Sequence, residues 1–144
     1  MNKQLIIIIA VLISCGCASS PKSDIPEPSL QNGEVVFPVF DMKQAPLSMV
    51  LNYLQEKSDN IPGNDNPVYI AVQLASEPVG KITPVSKVTD DIAQYTKKDF
   101  VTFRLTNVTI RSVLIELKER TGMTYKREDN MFIVKHPKLI IKSK

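Results

Sequence analysis

The chain has 144 residues, of which 43% are hydrophobic and 23% charged, and its formal net charge at pH 7 is only +3. This length suits one domain with a short extension, and so small a charge gives no reason to expect nucleic-acid binding. The sequence contains one histidine, no tryptophan and only two cysteines, Cys15 and Cys17. Residues 18–144 therefore offer neither a disulfide framework nor a thiolate metal site. We expect no enzyme active site, no cofactor and no metal site.

The N-terminus has the pattern of a secretory signal peptide. Lys3 precedes an apolar run at residues 5–13, which is shorter than the roughly 20 residues that a membrane-spanning helix needs. The run ends in Leu12-Ile13-Ser14-Cys15, which resembles the lipobox of bacterial lipoproteins. This resemblance implies cleavage between Ser14 and Cys15 and lipid attachment at Cys15. An ordinary signal peptide with incidental cysteines remains the alternative.

The residue after Cys15 also bears on the predicted location. In lipoproteins of this kind an aspartate at that position favours retention at the inner membrane, whereas this chain has Gly16. The resemblance therefore implies an anchor in the outer membrane of the cell envelope, facing the periplasm. Residues 16–34 are rich in serine, proline and polar side chains and have no apolar periodicity. We predict that residues 15–34 form a lipid-anchored, flexible tether and that the folded domain begins at Val35.

Two segments, residues 40–58 and 103–121, then repeat one hydrophobic pattern at an offset of 63 residues. Each copy starts with alternating apolar positions and changes to a spacing of three and four, which predicts a strand running into an amphipathic helix. Chance likeness between two amphipathic helices is the alternative explanation. The equivalent apolar pairs are Phe40/Phe103, Met42/Leu105, Ala45/Val108, Leu47/Ile110, Val50/Val113, Leu51/Leu114 and Leu54/Leu117.

Local signals place the helix ends and the remaining strands. Pro46 suits the first turn of a helix, Thr109 can cap the second helix, and Gly122 suits its C-terminal end. Residues 68–72 read as a strand, and residues 124–127 and 131–135 read as a hairpin around a turn at 128–130. Residues 75–99 read as a connecting insert with one or two helical turns. We predict an α+β fold over residues 35–136: two β-α-β type repeats, two amphipathic helices packed on short sheets, and a C-terminal β-hairpin.

Two stretches of this pattern are similar to a known domain. They are residues 40–59, FDMKQAPLSMVLNYLQEKSD, and residues 101–135, VTFRLTNVTIRSVLIELKERTGMTYKREDNMFIVK. Both resemble the short domain at the N-termini of secretins and TonB-dependent transducing receptors, and the second stretch is the closer. The resemblance covers residues 35–136, although the insert between the repeats departs from the compact pattern. It implies a small α+β interaction module that meets envelope proteins and has no catalytic residues.

Several polar residues are candidates for chemical sites. His136 has no histidine or cysteine partner in the domain and is expected to be exposed at a strand end. The carboxylate pairs Asp90-Asp91 and Glu128-Asp129 are expected in solvated turns, and Ser48 and Ser112 on exposed helix positions. Residues 137–144 form a basic tail around Leu139-Ile140-Ile141. That tail is open to three interpretations: an additional edge strand, a contact with lipid or a partner, or a solvated terminus.

The sequence therefore favours a non-enzymatic, lipid-anchored periplasmic interaction module, with a protein partner in an envelope secretion, assembly or signalling system. An edge strand is the expected binding element, because it can pair with a strand of the partner. Homo-oligomers through sheet edges are a further expectation. The rival hypothesis is a periplasmic enzyme or small-ligand-binding protein with a site in the insert at 75–99, and a third is a structural envelope lipoprotein. The candidate edge-strand residues are Val68, Ile70, Val72, Phe132 and Val134.

Overall fold

The structure is a computed structural model that describes residues 25–143. The predicted signal peptide, the cleavage site between Ser14 and Cys15, and the lipid attachment at Cys15 lie outside this range. The described residues form two α-helices, nine strands and two single turns of 3-10 helix, at Val85–Lys87 and Ile92–Gln94. The helices are α1 (Leu47–Asp59) and α2 (Ile110–Thr121). The strands are β1 (Ser29–Gln31), β2 (Glu34–Ala45), β3 (Tyr69–Val72), β4 (Thr83–Pro84), β5 (Val88–Asp90), β6 (Val101–Thr109), β7 (Thr124–Glu128), β8 (Met131–Lys135) and β9 (Leu139–Ile141).

The strands form three small sheets, which confirms the predicted α+β fold with a C-terminal hairpin. A three-stranded sheet has the order β1-β2-β6, a four-stranded sheet has the order β4-β3-β8-β7, and β5 pairs with β9 in a two-stranded ribbon. All pairs are antiparallel except β3 with β8. The strands that precede the two helices pair with each other, and the strands that follow the helices meet in the four-stranded sheet. Each helix therefore connects one sheet to the other.

The two repeats are arranged about a local two-fold axis. In the β2–β6 ladder Phe40 lies opposite Leu105, Asp41 opposite Arg104, and Met42 opposite Phe103. This register is symmetric about the pair Asp41 and Arg104, which are themselves equivalent under the offset of 63 residues. The equivalent rings of Phe40 and Phe103 consequently stack on each other, with centroids 5.7 Å apart.

Backbone details repeat at the same offset. Gln44 and Asn107 both have positive φ, 49° and 54°, and they stand three residues before the first residues of α1 and α2, Leu47 and Ile110. Such a φ is uncommon for residues other than glycine, so its recurrence at equivalent positions is a specific similarity. The repeat in the sequence therefore corresponds to two copies of one strand-to-helix unit in the structure.

Both helices bury the same face in one core. The apolar positions spaced by three and four are almost fully buried, because this spacing places them on one side of a helix. Each such side chain stabilises the fold by about 1.5–3 kcal/mol when it is removed from water. At the end of α2, Gly122 has φ 72° and its amide donates to the carbonyl of Lys118 at 2.9 Å, as expected for a left-handed cap. The buried apolar residues of the helices are Leu47, Val50, Leu51 and Leu54 in α1 and Ile110, Val113, Leu114 and Leu117 in α2.

The folded domain is longer than predicted at both ends. Residues assigned to the tether form β1, which pairs with the start of β2 across a turn at Asn32 and Gly33, with φ of 51° and 78°. Two left-handed residues give the turn whose twist suits a two-residue hairpin. Residues assigned to the basic tail form β9, and Leu139 is only 2% exposed. Of the three interpretations of residues 137–144, a strand is therefore the one observed, although its neighbour is β5 of the insert.

Candidate functional site

The predicted edge strands are not edges. Strand β8 lies between β3 and β7, and β3 lies between β4 and β8, so the prediction was wrong for both. Val68 precedes β3, and its amide donates to Oγ of Ser58 at 2.8 Å. The amide of Ile70 donates to Oε1 of Gln55 in α1. The other candidates lie in strands paired on both sides and are buried in the core, so they cannot pair with a partner strand: Val72, Phe132 and Val134.

The exposed edge of the four-stranded sheet is β7. Glu128 and Met131 pair across the two-residue turn that closes the β7–β8 hairpin. The closing pair of such a hairpin is hydrogen-bonded, and bonded and non-bonded pairs then alternate along the ladder. The backbone groups of Lys126 therefore face β8, whereas those of Tyr125 and Arg127 point away from it. Four of the five side chains of β7 are exposed, and among the described strands β7 pairs with β8 alone.

A polar cleft adjoins β7 at the N-terminal end of α2. Its empty volume is about 590 Å³, including space open to solvent. Four regions of the chain enclose it: the β1–β2 turn, the loop between α1 and β3, the start of α2, and the β7–β8 hairpin. We call it the arginine cleft; it is lined by Gly33, Glu34, Val35, Asn64, Asn66, Val68, Thr109, Ile110, Arg111, Arg127, Asn130 and Phe132.

Two arginines in this cleft differ from the other two of the chain. Arg104 lies 4.0 Å from Asp41, and Arg120 lies 2.5 Å from Glu116. Among the described residues, no carboxylate lies within ion-pair distance of Arg111 or Arg127. The described arginines without an acidic partner therefore both line the same cleft.

Arg127 is held in place by uncharged groups. Its Nε donates to the carbonyl of Asp129 at 2.8 Å, and its guanidinium carbon lies 5.5 Å from the centre of the Phe132 ring. These contacts fix the plane of the guanidinium and leave its two terminal amino groups available to a ligand. A planar fork of this kind suits a carboxylate, which can accept both hydrogen bonds.

Asparagines and one carboxylate complete the walls of the arginine cleft. Asn130 donates from its amide to Oδ1 of Asn66, and Asn64 donates to the carbonyl of Ser58 at 2.8 Å. These bonds fix the loop after α1 against the turn of the β7–β8 hairpin. Glu34 is exposed at the rim and makes no ion pair among the described residues. The cleft therefore combines two free cations, one anion and neutral amide groups.

A second polar cluster is buried beneath the insert. Asp90 is 6% exposed, and its Oδ1 accepts from the backbone amide of Ser48 at 3.1 Å. The hydroxyls of Ser48 and Tyr95 also donate to this carboxylate. Burial raises the pKa of Asp90, and the hydrogen bonds from Ser48 only partly oppose this. The predictions that Ser48 is exposed and Asp90 solvated were therefore wrong.

His136 belongs to the same region and is also buried, at 6% exposure, which contradicts the predicted exposed position. Its Nδ1 accepts from the amide of Lys138 at 3.3 Å, and its Nε2 lies 3.3 Å from the carbonyl of Thr121. Burial lowers the pKa of His136, although the carboxylates of Asp99 and Asp90 oppose the shift. Both ring nitrogens thus contact backbone groups, and the neutral ring with hydrogen on Nε2 satisfies both.

Asp99 joins the histidine to the C-terminal strand. It accepts from the ammonium of Lys138 and from the amide of Thr96, the latter at 2.6 Å. Burial alone would raise the pKa of Asp99, but these hydrogen bonds outweigh it and the pKa lies below its usual value. In the described residues no serine hydroxyl is bonded to His136, so the cluster lacks the nucleophile–base pair of acyl-transfer sites. Its evident role is to fasten the insert and β9 to α1 and α2.

The insert contributes to two further depressions, and the larger bears on the rival hypothesis of a ligand site at 75–99. It measures about 850 Å³ with its open space, and Val79 on its rim is 97% exposed. The carboxylate of Glu77 is already paired with Lys81 at 2.7 Å. The depression therefore offers few free polar groups that converge on one point.

Among residues 25–143, no three histidine, cysteine, aspartate or glutamate side chains are grouped so that they could hold a metal ion. Within the same range, neither helix has both the length and the apolar composition to cross a membrane. Comparison of the chain with models of protein families, with curated proteins and with solved structures finds no match.

Proposed function

We propose that this chain is a lipid-anchored protein of the cell envelope whose domain binds a protein partner at the edge strand β7. The partner would contribute an extended segment that pairs with β7 and extends the four-stranded sheet. The observation that carries the proposal is this edge: a five-residue strand, paired on one side only, beside a cleft with two unpaired arginines. The lipid at Cys15 would hold the domain at the outer membrane, on the periplasmic side.

The chemistry of β7 supports selective pairing. An exposed edge can accept a partner strand through main-chain hydrogen bonds, and side chains on alternate positions then decide which strand is accepted. Charged side chains on an edge disfavour indiscriminate association. Lys126 and Glu128 form an ion pair on one face of β7, while Arg127 lies on the other face beside the cleft. These charges select for a partner with complementary charges.

The short separation in sequence between Cys15 and the folded domain supports the proposed anchor. Nine residues separate Cys15 from the first described residue, Ile25, and at about 3.3 Å per residue they reach at most about 35 Å. A lipid at Cys15 would therefore keep the domain near the membrane surface, where its partner must also be accessible.

A photo-crosslinking amino acid in the full-length chain in cells tests the binding surface. We expect the reagent at Lys126 to give a discrete protein adduct, because this exposed side chain lies on the edge strand itself. Lys97, an exposed lysine in the loop before β6, is the matched control and should give none. Equal adducts from both positions, or none from Lys126, would refute β7 as the binding edge.

Membrane fractionation tests the anchor. We expect Cys15→Ala to leave the membrane fraction while its thermal unfolding stays unchanged, because residues 25–143 form the folded domain without it. Cys17→Ala is the matched control and should remain with the membrane. Retention of Cys15→Ala in the membrane fraction would contradict the proposed lipid attachment.

A further inference from the structure

The local two-fold symmetry relates a first half of the domain, which contains β2 and α1, to a second half, which contains β6 and α2. In the first half, the N-terminus of α1 follows Pro46, which makes no side-chain cap. The carboxylate of Asp90 binds there, at the backbone amide of Ser48. The insert thus supplies an internal carboxylate to the start of the first helix.

Within residues 25–143, no carboxylate binds at the start of α2 in this way. The residue equivalent to Ser48 is Arg111, which lies in the first turn of α2 and lines the arginine cleft. Thr109 caps this helix through the amide of Ser112 at 3.3 Å, one residue further on. Among the described side chains, none accepts a hydrogen bond from Arg111. The place that Asp90 fills in one half is therefore an open cleft in the other, and it carries an additional cation.

We infer that the arginine cleft binds the carboxylate of an acidic side chain on the partner's extended segment. This inference rests on the proposed function and names the partner's chemistry. Arg127 presents two free amino groups in a fixed plane, and Arg111 adds a second positive charge on the wall formed by α2. The carboxylate of Glu34 at the rim makes the cleft less favourable for a doubly charged phosphate than for a single carboxylate.

The register of the added strand specifies the position of the acidic residue. Because the backbone groups of Arg127 point to the free edge, a partner residue directly opposite would form a hydrogen-bonded pair with it. Side chains of such a pair lie on the same face, with Cβ atoms roughly 5 Å apart. Arg127 faces the same side as Phe132, the side of the cleft. An aspartate or glutamate opposite Arg127 would therefore place its carboxylate at the cleft.

Fluorescence anisotropy with a defined peptide tests this inference on the full-length chain in detergent micelles. The probe is a labelled peptide of alternating valine and threonine with one central glutamate, and its counterpart carries glutamine instead. We expect the glutamate peptide to bind about fivefold to tenfold more tightly, as one charge-assisted contact at a partly exposed site would give. Arg111→Gln and Arg127→Gln should each remove most of that preference.

Arg104→Gln is the matched control, because Arg104 is an exposed arginine of the three-stranded sheet that does not line the cleft. It should leave the preference for glutamate unchanged. An equal loss with Arg104→Gln would show general attraction to a positive surface and would overturn the inference. Equal affinity for the two peptides would overturn it as well. Displacement of the glutamate peptide by inorganic phosphate at a lower concentration than by acetate would also overturn it.

The crosslinking experiment separates this inference from the proposed function. If Lys126 gives its adduct in cells and Arg111→Gln and Arg127→Gln leave that adduct unchanged, the cleft inference fails and the proposed function stands. If Lys126 gives no adduct but the glutamate preference depends on both arginines, the cleft binds a carboxylate and the proposed partner-binding edge fails.

Discussion

The contact between Asp90 and the start of α1 gives the sharpest test of how the insert is fastened to the domain. Asp90→Ala removes a carboxylate that accepts from the amide and hydroxyl of Ser48 and from the hydroxyl of Tyr95. Ser48 is 7% exposed, so water does not readily replace the lost acceptor. We therefore expect α1, the insert and β5 to be weakened together.

The expected magnitude follows from these contacts. A hydrogen bond to a charged group contributes about 1.5–3 kcal/mol, and a buried donor left unpaired costs about 1–3 kcal/mol. Part of this is offset because the variant no longer buries a carboxylate whose pKa is raised by desolvation. The net loss in the free energy of unfolding should be about 3 kcal/mol. Thr109→Ala removes the exposed cap of the equivalent helix and should lose only about 1 kcal/mol.

Urea unfolding followed by circular dichroism measures the difference. Asp90→Asn keeps one acceptor oxygen, and its loss should lie between those of Asp90→Ala and Thr109→Ala. The direction of the pH dependence follows from the raised pKa of Asp90. The stabilisation that comes from this shift is complete below the pKa of the unfolded state, 3.8, and is lost as the pH rises through the pKa of the folded state. The gap between the parent and Asp90→Asn should therefore narrow as the pH rises above 3.8. Equal losses in the free energy of unfolding for Asp90→Ala and Thr109→Ala would refute the role of Asp90 as a cap of α1.

Two further predictions concern the C-terminal residues. Leu139→Ala should lower the free energy of unfolding by about 2–5 kcal/mol, whereas Ile141→Ala on the same strand should change it by at most about 0.5 kcal/mol. The reason is that Leu139 is 2% exposed and Ile141 is 52% exposed; similar small losses in urea unfolding would contradict a packed β9. His136 has a lowered pKa, so the stability it contributes is present above its ordinary value of 6.5 and is lost as pH falls. The parent should therefore lose stability between pH 7.5 and 5, and His136→Gln should flatten that loss; identical pH profiles would contradict a neutral buried histidine.

The parts of the fold that the sequence predicted are those set by local pattern. The apolar spacing identified both helices, and the strand-to-helix transition recurred at positions such as Phe40 and Phe103 because each unit needs the same buried face. The Asn32-Gly33 turn is an equally local signal, since this dipeptide favours the left-handed pair of a two-residue hairpin. The surrounding residues, which are rich in proline and serine and resemble a tether, mask this signal.

The location of sheet edges could not be read in this way. Whether β8 lies inside a sheet or at its margin depends on β3, which pairs with it in parallel from more than 50 residues away in the chain. The buried polar cluster also depends on residues far apart in the chain, because Ser48, Asp90 and His136 come from a helix, the insert and the C-terminal region. A carboxylate beside a second carboxylate in sequence is usually solvated, and only the tertiary packing that brings a helix N-terminus to Asp90 reverses this expectation.

The difference between the two halves is more informative for function than their similarity. A duplicated unit tends to leave two equivalent surfaces, one at the start of each helix. In the first half the insert covers that surface and satisfies it with Asp90, fastened further by Lys138 and Asp99. In the second half no segment of the described chain does so, and the equivalent position carries Arg111 instead of Ser48. The same local geometry therefore serves stability in one half and remains open to a ligand in the other, next to the free edge of β7.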